Sequence, residues 1–197
     1  MGRHIRRNIR LVLAVMTIAS TLVRGQGNTP NGLISRNASI QAFRAMELAS
    51  RFSGRGITIG IISASYNRLN QERNDIRNGL LPGPENPFSR TQRVTVISDK
   101  YSDGVTALDE GRAMAQVIHA IAPDAKICFI STSDIGEAIY KLHDENNPNG
   151  PCNADIIAED IQAEYASPFI DTSNERAIDQ YVMRGGLFLS AANNSMS

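Results

Sequence analysis

Short apolar runs alternate with segments of helical periodicity along this chain, and this alternation constrains the fold more than any other feature. The apolar runs that we predict to be β-strands are residues 57–62, 94–97, 126–131, 154–158 and 187–192. The segments that we predict to be helices are residues 39–52, 109–121, 135–142 and 173–183. Strands that alternate with helices form β-α-β units, whose crossovers are right-handed. We therefore predict an α/β fold of three layers, αβα, with a mostly parallel central sheet.

Polar residues follow each predicted strand, at the end where open parallel sheets bind their ligands. These polar stretches are residues 63–67, 98–110, 131–134, 159–160 and 192–195. The polar segment 67–89 ends in LLPGPENPF, and we predict it to be a loop. Because the carboxyl ends of parallel strands meet at one edge of a sheet, we expect the functional site at that edge.

The N-terminus places basic residues ahead of the short apolar run LVLAVMTIASTLV at residues 11–23. This order is typical of a secretory signal peptide, and the run is shorter than the ~20 residues that span a bilayer. We predict a signal peptide or an uncleaved anchor at residues 1–26, a linker at 27–38 and the folded domain at 39–197. The protein is then secreted or extracytoplasmic, and it meets a membrane only through an uncleaved N-terminal segment.

The chain has 20 basic and 20 acidic residues, and no basic cluster beyond the N-terminus, so we expect no nucleic-acid partner. Cys128 and Cys152 form a disulfide, as export allows, or remain two buried thiols. No C-x-x-C motif occurs and His119 and His143 are isolated, so we predict neither a metal site nor a cofactor. Asn37 lies in an Asn-x-Ser sequon and is a glycosylation site in a eukaryotic host.

Four segments, in this order, resemble the subtilisin/sedolisin superfamily of serine peptidases. GITIGIISASYN, residues 56–67, is similar to the first catalytic strand of that family. GRAMAQVIHAIAPDAKI, residues 111–127, is similar to the helix that starts at the catalytic histidine or glutamate. ADIIAEDI, residues 154–161, is similar to the strand that lines the substrate cleft. AIDQYVMRGGLFLSAANNS, residues 177–195, is similar to the helix, turn and strand that lead into Ala-Ala-Gly-Asn-Ser.

The resemblance, which points to a branch with SDSYN and DEGRAM signatures, implies a truncated subtilisin-like domain that acts on a peptide or protein substrate. It places Glu110 where the family has its general base, a glutamate in sedolisin-like members. It places Asn194 where subtilisin-like members have the oxyanion donor, typically worth about 3–4 kcal/mol. Structural explanations compete, because Glu110 would also stabilise the helix dipole by about 0.3–1 kcal/mol and Asn194 would also suit a turn that ends a strand.

Other residues depart from the family pattern. Ala64 stands where the aspartate of SDSYN is expected, and a methyl group cannot orient a base. Met114 stands where sedolisin-like members have a second aspartate, and the sequence contains no Gly-Thr-Ser segment for the nucleophile. We therefore predict a serine-type endopeptidase homologue that is inactive as these 197 residues. The alternatives are a secreted pseudopeptidase that binds a peptide or a partner, and an α/β ligand-binding domain unrelated to peptidases.

Overall fold

The computed structural model of the chain describes residues 52–100, 109–144, 152–161 and 172–191. The predicted signal peptide or anchor, the linker and nearly all of the first predicted helix lie outside these residues. The glycosylation candidate Asn37 and the oxyanion candidate Asn194 also lie outside them. No helix in the described ranges is long and apolar enough to cross a membrane.

Five parallel strands form one central sheet within the described residues. The strands are β1 (Thr58–Ile62), β2 (Thr95–Asp99), β3 (Lys126–Ser131), β4 (Ile156–Glu159) and β5 (Leu187–Ser190). The helices are α1 (Glu72–Arg77), α2 (Glu110–Ile121), α3 (Ile135–Leu142) and α4 (Ser173–Met183). The strand order is β2-β3-β1-β4-β5, and each neighbouring pair is parallel. The molecule therefore has the predicted α/β class with a parallel sheet.

Two apolar cores lie on opposite faces of this sheet, because successive side chains of a strand point to opposite sides. On β1, Ile59 and Ile61 face the core that α1 and α2 cover. Ile62 faces the second core, to which α3 and α4 contribute. The helices thus lie on both faces, as the alternation of strands and helices predicts.

The hand of the crossovers differs from the prediction in one unit. The chain steps from β2 to β3, from β3 to β4 and from β4 to β5 in the same direction along the sheet. Helices α3 and α4 lie on one face, whereas α2 lies on the other. The β2-α2-β3 unit therefore has the opposite hand to the next two. Because about 98% of such crossovers are right-handed, β2-α2-β3 is the left-handed exception.

A disulfide joins Cys128 on β3 to Cys152, whose Cα atoms are 6.0 Å apart. Both residues are buried in the core beneath α3 and α4. The bond closes a loop with a sequence separation of 24 residues, and chain-entropy arguments give such a loop a stabilisation of about 3–4 kcal/mol. It ties the middle of the sheet to the segment that leads into β4.

Candidate functional site

The ends of β1, β3 and β4 and the beginning of α2 meet at the carboxyl edge of the sheet. The Gly111 N–H donates to the Ser65 carbonyl at 3.0 Å, which joins the start of α2 to the loop after β1. The Asp160 N–H donates to the Ile62 carbonyl at 3.3 Å, which joins the end of β4 to the end of β1. These backbone contacts bring the candidate residues of separate segments to one place.

Gly111 allows α2 to begin against the sheet. A Cβ atom at this position would lie 2.2 Å from Phe129 Cε2 and 3.0 Å from the Cβ of Ser63. Any larger residue would therefore force the helix away from β1 and β3. The close approach holds Glu110, the first residue of α2, next to the end of β1.

Asp109 is buried and has a structural role at the carboxyl edge. Its backbone adopts the left-handed conformation, with φ 50°. Its carboxylate accepts hydrogen bonds from the N–H groups of Arg68 and Leu69 at 2.9 and 3.0 Å and pairs with Arg112 at 3.0 Å. Asp109 thus anchors the loop that follows β1 to the start of α2.

A second carboxylate anchors the same loop from the other side. Asp99, the last residue of β2, accepts hydrogen bonds from the N–H groups of Tyr66 and Asn67, both at 2.9 Å. The Ala64 carbonyl accepts a hydrogen bond from the Ser131 hydroxyl at 2.9 Å. The backbone at Ala64 is therefore fixed, although its side chain offers no acidic group to the site.

Glu110 is half-buried at the start of α2, on the same edge. Within the described part of the chain, its carboxylate forms neither a hydrogen bond nor an ion pair. Its negative charge acts instead on Asp160, whose pKa it raises. Of the two adjacent carboxylates, that of Asp109 is thus occupied by structural hydrogen bonds, whereas that of Glu110 is available to contact a substrate.

Asp160 follows β4 and carries the most perturbed carboxyl group of this edge. The pKa of Asp160 is raised to about 7, chiefly by burial and also by the charges of Glu110 and Glu159, although the nearby Ser63 hydroxyl opposes this rise. A carboxyl group with this pKa carries a proton for much of the time near neutral pH. Asp160 can therefore donate a proton as well as accept one, which is the property that acid–base chemistry uses.

Glu159 is buried on the face of β4 opposite to that of Ala158. Its carboxylate accepts a hydrogen bond from the Ser190 hydroxyl on β5. Burial raises its pKa, and hydrogen bonds from Ser190 and from the backbone of Ile161 lower it. One carboxylate oxygen of Glu159 has no hydrogen-bond partner among the described residues. The burial of this carboxylate therefore destabilises the folded state, as the burial of Asp160 does.

The structure brings together only part of the predicted site. Glu110 and Ala64 lie at the expected edge, whereas Asn194 lies outside the described residues. Asp160 and Ser63 were not predicted to have a role, although both lie in polar stretches expected to end strands. The usable signal is the pair of acidic residues Glu159 and Asp160, which comes directly after the apolar residues 156–158 of β4, where a parallel sheet exposes its carboxyl edge.

The described residues contain no group of three or more His, Cys, Asp or Glu side chains that could hold a metal ion. The sequence matches no protein-family model, and a search of curated proteins finds no significant match. The geometry of the carboxyl edge and the resemblance of the four segments are therefore the two grounds for a function.

Proposed function

We propose that the chain is a serine endopeptidase homologue of the subtilisin/sedolisin superfamily, with Glu110 as its general base. The observation that supports this proposal is the position of Glu110 at the start of α2, at the carboxyl edge, beside the buried Asp160. The alternative role of Glu110 is to stabilise the positive end of the dipole of α2. The carboxylate that holds the loop after β1 against the start of α2 is, however, that of Asp109. The subtilisin-like topology belongs to the same proposal.

The reaction would proceed as acyl transfer from a peptide. In a protein that carries a Gly-Thr-Ser segment, the serine hydroxyl would lose its proton to Glu110 and bond to the peptide carbonyl carbon. Asn194 donates to the oxyanion that forms, and Glu110 returns the proton to the leaving amine as the C–N bond breaks. Water then releases the acyl group by the same two steps. Export from the cytoplasm, inferred from the N-terminal sequence, is part of the proposal.

The test measures hydrolysis of unfolded casein between pH 3 and pH 8. We expect the 197 residues alone to be inactive, and the full gene product that contains them to hydrolyse casein if it carries a Gly-Thr-Ser segment. Glu110→Gln should then lower kcat/KM by about 10²–10⁴-fold, the usual contribution of a general base. The matched control is Glu137→Gln, which removes an exposed carboxylate on α3. Activity that survives Glu110→Gln would contradict the assignment.

A non-catalytic binding role is the second candidate. The observation that favours it is Ala64, which offers no carboxyl group where the family has its aspartate. A pseudopeptidase of this kind would bind casein-derived peptides without cleaving them. Fluorescence anisotropy with a labelled peptide, together with intact peptide recovered after overnight incubation of the full gene product, would favour binding over catalysis.

A further inference from the structure

We infer that Asp160 is a positioning residue for Glu110, and that the two carboxyl groups share one proton across the Ser63 hydroxyl at the carboxyl edge. This inference rests on the proposed function, because it gives Glu110 the acidic partner that neither Ala64 nor Met114 provides. Asp160 directly follows β4, whereas the resemblance places the partners of the base at the end of β1 and in α2. It is a positioning residue, since it acts through Glu110 rather than on the substrate.

Backbone contacts place the two carboxylates on either side of the end of β1. The backbone N–H of Asp160 donates a hydrogen bond to the Ile62 carbonyl, so the Cα of Asp160 lies alongside the end of β1. Gly111, which follows Glu110, packs so closely on Ser63 that an added Cβ would lie 3.0 Å from the Ser63 Cβ. By strand alternation, Ser63 and Asp160 point to the α2 face of the sheet. The start of α2 and the end of β4 therefore converge on Ser63.

Ser63 supplies an observation that is independent of the two acids. The residue is fully buried, and its Oγ meets the distance and angle criteria of a hydrogen bond with no atom of the described residues, Asp160 included. It lies close enough to Asp160 to lower the pKa of that carboxyl group. A buried hydroxyl without a partner is costly, so its presence in a folded protein calls for an explanation. A proton held between the neighbouring carboxyl groups offers one.

Electrostatics explain why the pair would hold one proton rather than none. Two carboxylates in one site cannot both ionise without mutual repulsion, and the more deeply buried group keeps the proton. Glu159 adds repulsion from β4, whereas Asp109 on the α2 side is neutralised by Arg112 and Asp99 on β2 is held by backbone N–H groups. Asp160 is thus the group that remains protonated near neutral pH.

The arrangement has a consequence for catalysis. A protonated Asp160 donates toward Glu110 and fixes the orientation of its carboxylate without cancelling its charge. When pH rises above about 7 and Asp160 ionises, the pair becomes doubly negative and this donation is lost. A merely structural Asp160 that bonded to Ser63 alone would also feel the charge of Glu110, but its ionisation would leave the orientation of the Glu110 carboxylate unchanged.

The test is a carboxyl ¹³C NMR titration of the protein labelled at aspartate, with Asp160→Asn used to assign the resonance. We expect Asp160 to titrate near pH 7 and Glu110→Gln to lower its midpoint by about 0.5–1 pH unit, because a like charge is removed. Ser63→Ala should raise the midpoint, since the hydroxyl lowers the pKa. Glu137→Gln should leave it unchanged. A midpoint near 4, or one that ignores Glu110→Gln, overturns the inference.

A second readout separates this inference from the peptidase proposal. In a full gene product that hydrolyses casein, Asp160→Asn should remove the alkaline limb of the pH profile near pH 7, because Asn donates at every pH. An unchanged pH profile would overturn the positioning role even if Glu110 proved essential. Conversely, Asp160 could titrate as expected in a protein that does not hydrolyse casein. That result would support the proton-sharing pair and contradict the peptidase proposal.

Discussion

The two edges of the sheet treat their acidic residues in opposite ways. At the amino edge, Asp124 pairs with Arg55 and Arg90, and Asp155 accepts a hydrogen bond from the Thr58 N–H at 2.8 Å. A hydrogen bond from Ser53 and the two arginines lower the pKa of Asp124. At the carboxyl edge, burial and like charges raise the pKa of Asp160 instead.

This contrast separates acidic residues that stabilise the folded state from acidic residues that destabilise it. A carboxylate with charged or N–H partners favours the folded state, whereas a buried carboxylate beside other carboxylates opposes it. The carboxyl edge contains both kinds, since Asp109 has three partners and Asp160 faces like charges. We interpret the unfavourable acids as the part of the edge that chemistry, rather than stability, has selected.

The largest effect on the free energy of unfolding is expected from Asp109, which holds the carboxyl edge together. Asp109→Ala should destabilise the fold by about 3–5 kcal/mol, because it leaves Arg112 without one partner and the N–H groups of Arg68 and Leu69 without an acceptor. Glu110→Gln, one residue away, should change the free energy of unfolding by less than about 1 kcal/mol. Urea denaturation at pH 7 measures both. Equal losses from the two variants would erase the distinction between them.

The second effect concerns Asp160 and has the opposite sign. Its folded pKa lies above its unfolded value, so the folded state binds the extra proton between about pH 4 and pH 7, and stability falls as pH rises through this window. Asp160→Asn should therefore stabilise the protein at pH 8 by as much as about 4 kcal/mol, and change it little at pH 4. Thermal unfolding at the two pH values tests this difference. A variant that is less stable than the parent at pH 8 would count against it.

The smallest effect is expected at the amino edge. The folded pKa of Asp124 is lowered, so its contribution is present above the unfolded pKa and is lost as pH falls through the folded value. Asp124→Asn should destabilise the protein by about 1 kcal/mol at pH 7, because its arginine partners are partly or largely exposed. The loss should disappear once the pH falls below the folded pKa of Asp124. A gain of stability at pH 7 would place Asp124 in the same class as Asp160.

The strongly patterned elements could be predicted from the sequence. The bounds of β3, α3 and α4 agree with the structure, because apolar periodicity and turn residues mark both ends of each element. Helix α1 was predicted to be a loop, since its six residues, ERNDIR, place only Ile76 in the core as an apolar side chain. The hand of the β2-α2-β3 crossover was also wrong, because no local pattern specifies which face of the sheet a helix covers.

The site was less accessible to sequence reasoning than the fold. Asp109 and Glu110 are adjacent carboxylates that a pattern cannot tell apart, and the left-handed backbone at Asp109 is what directs one of them into the scaffold. The pKa of Asp160 depends on burial and on Glu110, which lies 50 positions earlier in the chain. Such perturbations arise from tertiary contacts, so the sequence could indicate the edge but not the partner.

The central claim, that Glu110 and Asp160 face each other at the carboxyl edge, is tested most directly by a double-mutant cycle in the free energy of unfolding. At pH 9, Glu110→Gln and Asp160→Asn relieve the same repulsion, so the double variant should gain about 1 kcal/mol less than the sum of the singles. At pH 5, where Asp160 is protonated, this deficit should vanish. Strict additivity at pH 9 would contradict the account, because it would mean that the two carboxylates do not interact.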